Sequence, residues 1–267
     1  MSDLVKLCAR PKLNSPNMIA AWPGIANVPL LVATYLDKKL GFKPLGEIEA
    51  SHFFDPIGVM VRDNVVEAPE FPQSKFSYWK NKSGGSDLIL FIGDDQPAAK
   101  GYELANTVID VALKFQVKRI YTLAAAKTRM HHTEQPKVWG VATIPELTKE
   151  LRKFDLVQRG NLKISGMNGI LLGVAKERGV DGICLLGEVP RYTARIQNPM
   201  AALAILGVLP KMLDIEVDTF ELAQIATETR EKVKEAAAEA MGEYIELFTE
   251  PIWEQGQEEE EDEEDEE

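Results

Sequence analysis

The chain has only two cysteines, Cys8 and Cys184, and they are far apart. With no Cys-x-x-Cys pair, neither a disulfide framework nor a zinc knuckle is implied. Histidine is scarce, at three residues, and His131-His132 with Glu134 lacks the i, i+4 spacing that turns two imidazoles toward one metal. Long apolar runs are missing too. The longest, around Met200 to Leu209, falls well short of the roughly 20 residues that cross a bilayer. Met1 to Pro11 has no apolar stretch of the signal-peptide kind. A reducing cytoplasm and no membrane partner are the expectations. An excess of positive charge is also absent, for 30 basic residues face 42 acidic ones and the net charge is −12. Glu258 to Glu267 are all acidic, and without those ten residues the balance is 30 against 32. The body is nearly neutral, the excess sits on a tail, and neither suits a nucleic-acid partner.

What is present reads as an α/β protein. The organising stretch runs from Leu162 to Ala202: a glycine turn, a short apolar helix stopped at Gly179, a buried strand from Gly182 to Leu186, and a polar loop from Gly187 to Asn198 before Pro199. Earlier, Met18 to Trp22 reads as a first buried strand, and Pro23 to Asn27 as a turn. Val28 to Leu40 reads as a helix, with Pro29 in its first turn and Gly41 as its stop. Leu88 to Ile92, Arg119 to Ala124 and Val138 to Thr143 read as further strands, and Gly101 to Phe115 as a helix. Gly58 to Arg62 alternates and is followed by a hairpin-type Asp63-Asn64. The segment Glu67 to Ser86, with Phe71, Phe76, Tyr78 and Trp79, reads as exposed β structure or a loop over the sheet. Its aromatics suit either local core or an interface. Thr143-Ile144-Pro145-Glu146 has capping-box spacing for a helix to about Lys153, and a short β segment is expected near Leu156 to Ile164. Asn198 caps a helix from Met200 to Leu213, and Asp218 and Glu221 begin a long final helix over 218–248 with Leu222, Ile225 and Val233 on its apolar face. The expected organisation is one α/β domain over residues 1–250, a three-layer α/β/α sandwich with a mostly parallel sheet of the phosphorylase or hydrolase kind. A disordered acidic tail over 254–267 follows.

Ligands of open parallel sheets bind beyond the carboxyl ends of the strands. Four loops are expected there: Pro23–Asn27, Gly93–Pro97, Ala125–Lys137 and Gly187–Asn198. The candidates for a ligand or interface loop are Asp94, Gln96, Glu188, Arg191 and Tyr192; Gly24, Gly166, Asn168 and Gly169 form a candidate anion turn. Each has a plainer structural reading. Glu188 and Arg191 can pair with each other, the aspartates can cap a helix, and Gly173 suits close helix packing. Ser165 has no strand-to-helix G-x-S-x-G elbow, and no phosphate-loop or dinucleotide fingerprint is present. No catalytic residue, metal ligand or cofactor is assigned.

Taken in order, these segments resemble the proteasome assembly chaperone 2 family. Trp22-Pro23-Gly24 is similar to its W-P-G turn, and Gly93 to Gln96 to its G-x-x-Q segment. Gly166 to Gly173 resembles its G-x-x-G-L-L-L-G signature, and Leu185 to Tyr192 with Pro199 its L-L-G-E-x-P-x-Y and later proline. The resemblance implies an α/β/α domain similar to purine nucleoside phosphorylase-like folds, usually homo-oligomeric. Eukaryotic members are non-catalytic chaperones that help arrange proteasome α subunits, which makes those subunits or another protein the expected partner. It also leaves an alternative, because prokaryotic members have been labelled ATP-dependent carboxylate–amine ligases: a protein that binds a nucleotide or carboxylate at the strand ends, with Arg191 and Lys127 holding the anion. Two features depart from the family pattern. Ala26 and Asn27 stand in a turn that commonly holds further glycines. Asp265-Glu266-Glu267 replaces the hydrophobic–tyrosine ending of some archaeal members, so the resemblance does not carry that docking mode over.

Overall fold

The structure is a computed structural model that describes residues 4–158 and 161–249. Its strands are β1 (Val5–Leu7), β2 (Asn17–Ala21), β3 (Lys43–Ile48), β4 (Gly58–Arg62), β5 (Val65–Glu70), β6 (Ser74–Trp79), β7 (Leu88–Gly93), β8 (Arg119–Thr128), β9 (Val138–Ala142) and β10 (Gly182–Pro190). Its helices are α1 (Val28–Leu40), α2 (Gly101–Lys114), α3 (Pro145–Leu151), α4 (Met167–Glu177), α5 (Pro199–Leu206), α6 (Leu209–Leu213) and α7 (Phe220–Thr249). Eight strands form one sheet in the order β1-β3-β6-β7-β2-β8-β10-β9. The central four, β7, β2, β8 and β10, run parallel; β9 closes one edge antiparallel, and β6, β3 and β1 extend the other by antiparallel pairing.

Alternation along the central strands separates two cores, because successive side chains point to opposite faces. Ile19, Ala21, Leu88, Leu90, Tyr121, Leu123, Ile183 and Leu185 face a layer of α1, α5 and the start of α7, where Val32, Leu36, Ala202, Ile205 and Leu222 are buried. Met18, Ala20, Trp22, Ile89 and Phe91 face α2 and α4, where Leu104, Val108, Leu171 and Val174 are buried. This is the α/β/α sandwich with its mixed, mostly parallel sheet. No helix among the described residues is long and apolar enough to cross a membrane.

Several elements differ from the reading of the sequence. β6 is a full member of the sheet between β3 and β7, not a loop laid over it, and Phe76 is buried against Phe91 with ring centroids 4.7 Å apart. β8 and β10 both run further than expected, since their parallel pairing continues to Thr128 and Pro190. The helix expected over Met200–Leu213 is two, α5 and α6. Pro210 has no N–H to give back to the preceding turn, and the break falls just before it. Thr143 does not cap α3; its hydroxyl accepts a hydrogen bond from Gly182 N (3.0 Å), and Ile144 takes the cap position. Of the β segment expected near Leu156 to Ile164, a single bridge from Val157 to Trp139 forms among the described residues. Gly173 faces open space, so close packing does not explain it, and Ile225 on α7 is exposed. The acidic tail over 254–267 lies outside the described residues.

Candidate functional site

Because β2, β7, β8 and β10 are parallel, the four loops that follow them share one rim of the sheet. The candidate residues fall into two groups on that rim. One group joins the ends of β2 and β7 to the start of α4. Trp22, fully buried, packs on Phe91 with ring centroids 4.8 Å apart. The Asn168 side chain reads the Trp22 backbone like a neighbouring strand: Oδ1 accepts from Trp22 N (3.1 Å) and Nδ2 donates to Trp22 O (3.3 Å). Gln96 does the same between Pro23 and α4, with Nε2 donating to Pro23 O (2.5 Å) and Oε1 accepting from Met167 N (2.9 Å).

Two glycines make this clasp possible. Gly166 has φ +76°, and a methyl group there would come within 2.5 Å of Gln96 Oε1. A methyl at Gly169 would lie 2.2 Å from Ile164 O. Gly24 sits against Pro29 and the Asn168 amide. Of the residues expected as an anion turn, Asn168 is bound to Trp22, Gly169 N donates to Gly166 O (3.1 Å), and the leading N–H of α4 is taken by Gln96. Asp94 is bound locally, exchanging bonds with Gln73: its Oδ2 accepts from Gln73 N (3.2 Å), and its N–H donates to Gln73 O (2.8 Å).

The second group lies at the ends of β8 and β10. Glu188 is turned toward the sheet edge, where Oε1 accepts from Trp139 Nε1 (3.0 Å) and Oε2 from Lys137 N (3.1 Å). It does not pair with Arg191, which is exposed and has no partner among the described residues. Tyr192 Oη accepts from His132 N (2.8 Å) and lies 3.0 Å from His132 Nδ1. His131 stacks on His132 (4.1 Å) and donates its N–H to Glu134 Oε1 (2.9 Å). Desolvation, with His131 and Lys234 nearby, holds His132 below the usual imidazole range and so favours its neutral form. Among the described residues, no cluster of three or more His, Cys, Asp or Glu could hold a metal ion.

The two groups centre on β7 and β10, about 14 Å apart at the usual strand spacing, and the turn after β2 joins the loop after β10 through Ala26 and Ala194 (3.0 Å). The cavity beside His132, bounded also by Glu134, Met200 and Arg230, has room for about 30 Å³, enough for a water or two. A larger cavity of about 580 Å³ opens under the outer strands, lined by Lys6, Cys8, Asp37, Phe42, Lys75 and Asp94. Asp94 is the single candidate residue that reaches it. Burial raises the Asp37 carboxyl there. Cys184, wholly buried in β10, has its thiol pushed up to about 12 and is chemically quiet.

The sequence reading missed Trp139, the indole that holds Glu188. The signal is an aromatic in the β9 alternation, and finding its partner required the antiparallel register that sets Trp139 beside Leu186. It also missed the Pro23 carbonyl, a backbone group that leaves no trace in residue type.

Residues 18–237 match the PAC2 family. PbaB of Pyrococcus furiosus, described as an archaeal proteasome activator, is similar in structure, with a TM-score of 0.76 and 30% identity over 87% of this chain and 98% of that one. PbaA of the same organism, described as an archaeal homolog of proteasome-assembly chaperone, gives a TM-score of 0.65 and 25% identity over 87% and 96%. An uncharacterised protein of Methanocaldococcus jannaschii is 29% identical over 234 residues, covering 85% of this chain and 86% of its own. The family match spans most of the chain, and the chain belongs to the PAC2 family.

Proposed function

We propose that this protein is a non-enzymatic assembly factor that works in the cytoplasm as a homo-oligomer and binds proteasome α subunits through a protein–protein surface. The family membership and the likeness to PbaB and PbaA support the class of partner. The observation that carries the reading is the hairpin β4–β5. It is paired to no strand of the main sheet, and Ile57, Val59, Met60, Val61, Val65 and Val66 on it are between 43% and 70% exposed. Apolar side chains exposed in such number on a free hairpin mark an interaction surface more often than a solvated one. Asn168, Gln96, Glu188 and Asp94 on the rim support the same reading, since their polar atoms are used in holding the fold together, while Arg191 stays exposed.

The test is direct. Purified protein is mixed with recombinant α subunits from the same source and followed by size-exclusion chromatography with light scattering. Co-elution is expected, and replacing residues 58–70 by a short glycine–serine link abolishes it without lowering the melting temperature. Absence of co-elution with intact protein overturns the reading.

One observation favours a second reading, a small-molecule binder. The cavity of about 580 Å³ has the size of known ligand sites and mixes apolar walls with Lys6, Lys75 and Asp37. Saturable binding of a nucleotide or carboxylate that is lost in Lys75→Ala supports it.

A further inference from the structure

The two edges of the hairpin are not equivalent. A two-stranded ribbon is marginal by itself in water, and each free edge offers unpaired N–H and C=O groups. β5 carries Pro69, which has no N–H, and the charges of Glu67 and Glu70, all features that discourage pairing. β4 reads Gly58-Val59-Met60-Val61-Arg62 and has none of them until its last residue. Gly58 has no local reason to be glycine. Its φ is not left-handed, and a methyl group there would meet nothing within 4 Å. As the first residue of β4 it leaves open space that a side chain of another strand can cross.

The faces are sorted as well. The pairs Val59 with Pro69 and Val61 with Val66 put four apolar residues on one face. Gly58 with Glu70 and Arg62 with Val65 lie on the other, where Arg62 Nε also meets Glu67 Oε1 (3.2 Å).

We propose that β4 pairs antiparallel with β4 of a second copy of this chain, about a two-fold axis at Met60, to make a four-stranded ribbon. The proposal rests on the homo-oligomeric part of the function proposed above and names the surface that makes the oligomer. In this register Val59 stands opposite Val61 of the second copy, Met60 opposite itself, and Arg62 opposite Gly58. Opposite residues share a face, and Gly58 is already opposite Glu70 within its own hairpin. Arg62 therefore lies on the same face as Glu70 of the second copy, about 10 Å or two strand spacings away. The missing side chain at Gly58 leaves the guanidinium a clear path to that carboxylate. Two-fold symmetry makes the contact twice, with no like charges opposed. On the other face each row across the four strands reads Pro69-Val59-Val61-Val66, the first two from one copy and the last two from the second.

The experiment uses the full chain with Cys8→Ser to remove the exposed thiol. Directly opposed residues in an antiparallel pair have Cα atoms about 4.5–5.5 Å apart, inside the range a disulfide spans. Under mild oxidation, Met60→Cys gives a covalent dimer on a non-reducing gel, whereas Val65→Cys on the outer strand does not. Arg62→Glu weakens association about tenfold or more in sedimentation, and Arg62→Glu with Glu70→Arg restores it. Equal cross-linking of both cysteine variants overturns the register. If native protein is oligomeric by light scattering, yet Met60→Cys does not cross-link and Arg62→Glu leaves the mass unchanged, this pairing is wrong while the functional reading stands. If native protein is a monomer at micromolar concentration, the homo-oligomeric reading fails and the pairing falls with it.

Discussion

Ala26 and Asn27 hold left-handed backbone at φ 52° and 54° in the turn after Trp22. For a residue with a Cβ that conformation costs roughly 1–2 kcal/mol, less for asparagine. The turn is held because Ala26 donates its N–H to Ala194 O (3.0 Å) and accepts at its carbonyl from Asn198 N (3.0 Å), which sews it to the loop after β10. Ala26→Gly should therefore raise unfolding free energy by about 1 kcal/mol in a urea titration. Asn168→Ala should act in the opposite sense. It strips both hydrogen bonds from the buried Trp22 backbone, and a loss of about 2–4 kcal/mol is expected in the same titration. Cys184 gives a chemical check on the core. In native protein at pH 8 a thiol reagent should titrate Cys8 alone, and both cysteines only after unfolding, because burial holds the Cys184 thiol at about 12.

The loop after β8 supplies the pH dependence to look for. His132 has its folded pKa lowered by desolvation, with His131 and Lys234 adding to it. Above the ordinary imidazole value the group is neutral in folded and unfolded chains alike and contributes nothing. As pH falls below that value the unfolded chain takes up the proton first, so stability drops until the folded pKa is passed. Melting temperature should fall as pH drops from about 6.5 toward 5, and His132→Gln should flatten that slope. Elements of this protein were legible where local chemistry dictates them. α1 has Pro29 in its first turn, apolar helical spacing and a left-handed Gly41 at its end, and it lies over Val28–Leu40 as read. The Asp63-Asn64 turn was equally plain, with both residues left-handed. β6 was not, because Lys75 and Ser77 on one face give it the look of an exposed strand, and its place in the sheet comes from pairing with β7. The rim of four loops was legible from strand polarity. Which side chains bond to which was not, since Gln96 with Pro23 and Glu188 with Trp139 depend on strand order and register.

At the scale of the whole molecule, protection should be uneven. Amide hydrogens of β7, β2, β8 and β10, covered on both faces, should exchange most slowly by mass spectrometry, whereas residues 58–70 exchange quickly in any monomer and slow only on association. Failure of the hairpin to gain protection as concentration rises would count against its pairing. The clasp also bears on time. Asn168 and Trp22 are 146 residues apart in the chain, so their bonds can close only after the central strands have been ordered and α4 has docked. Contacts of such long range form late, and a bond absent from the transition state affects escape from the native state more than arrival at it. In stopped-flow experiments Asn168→Ala should leave the refolding arm nearly unmoved and raise the unfolding rate. The side chain that joins the first turn to the fourth helix then serves as a kinetic lock, setting how long a folded copy survives once made.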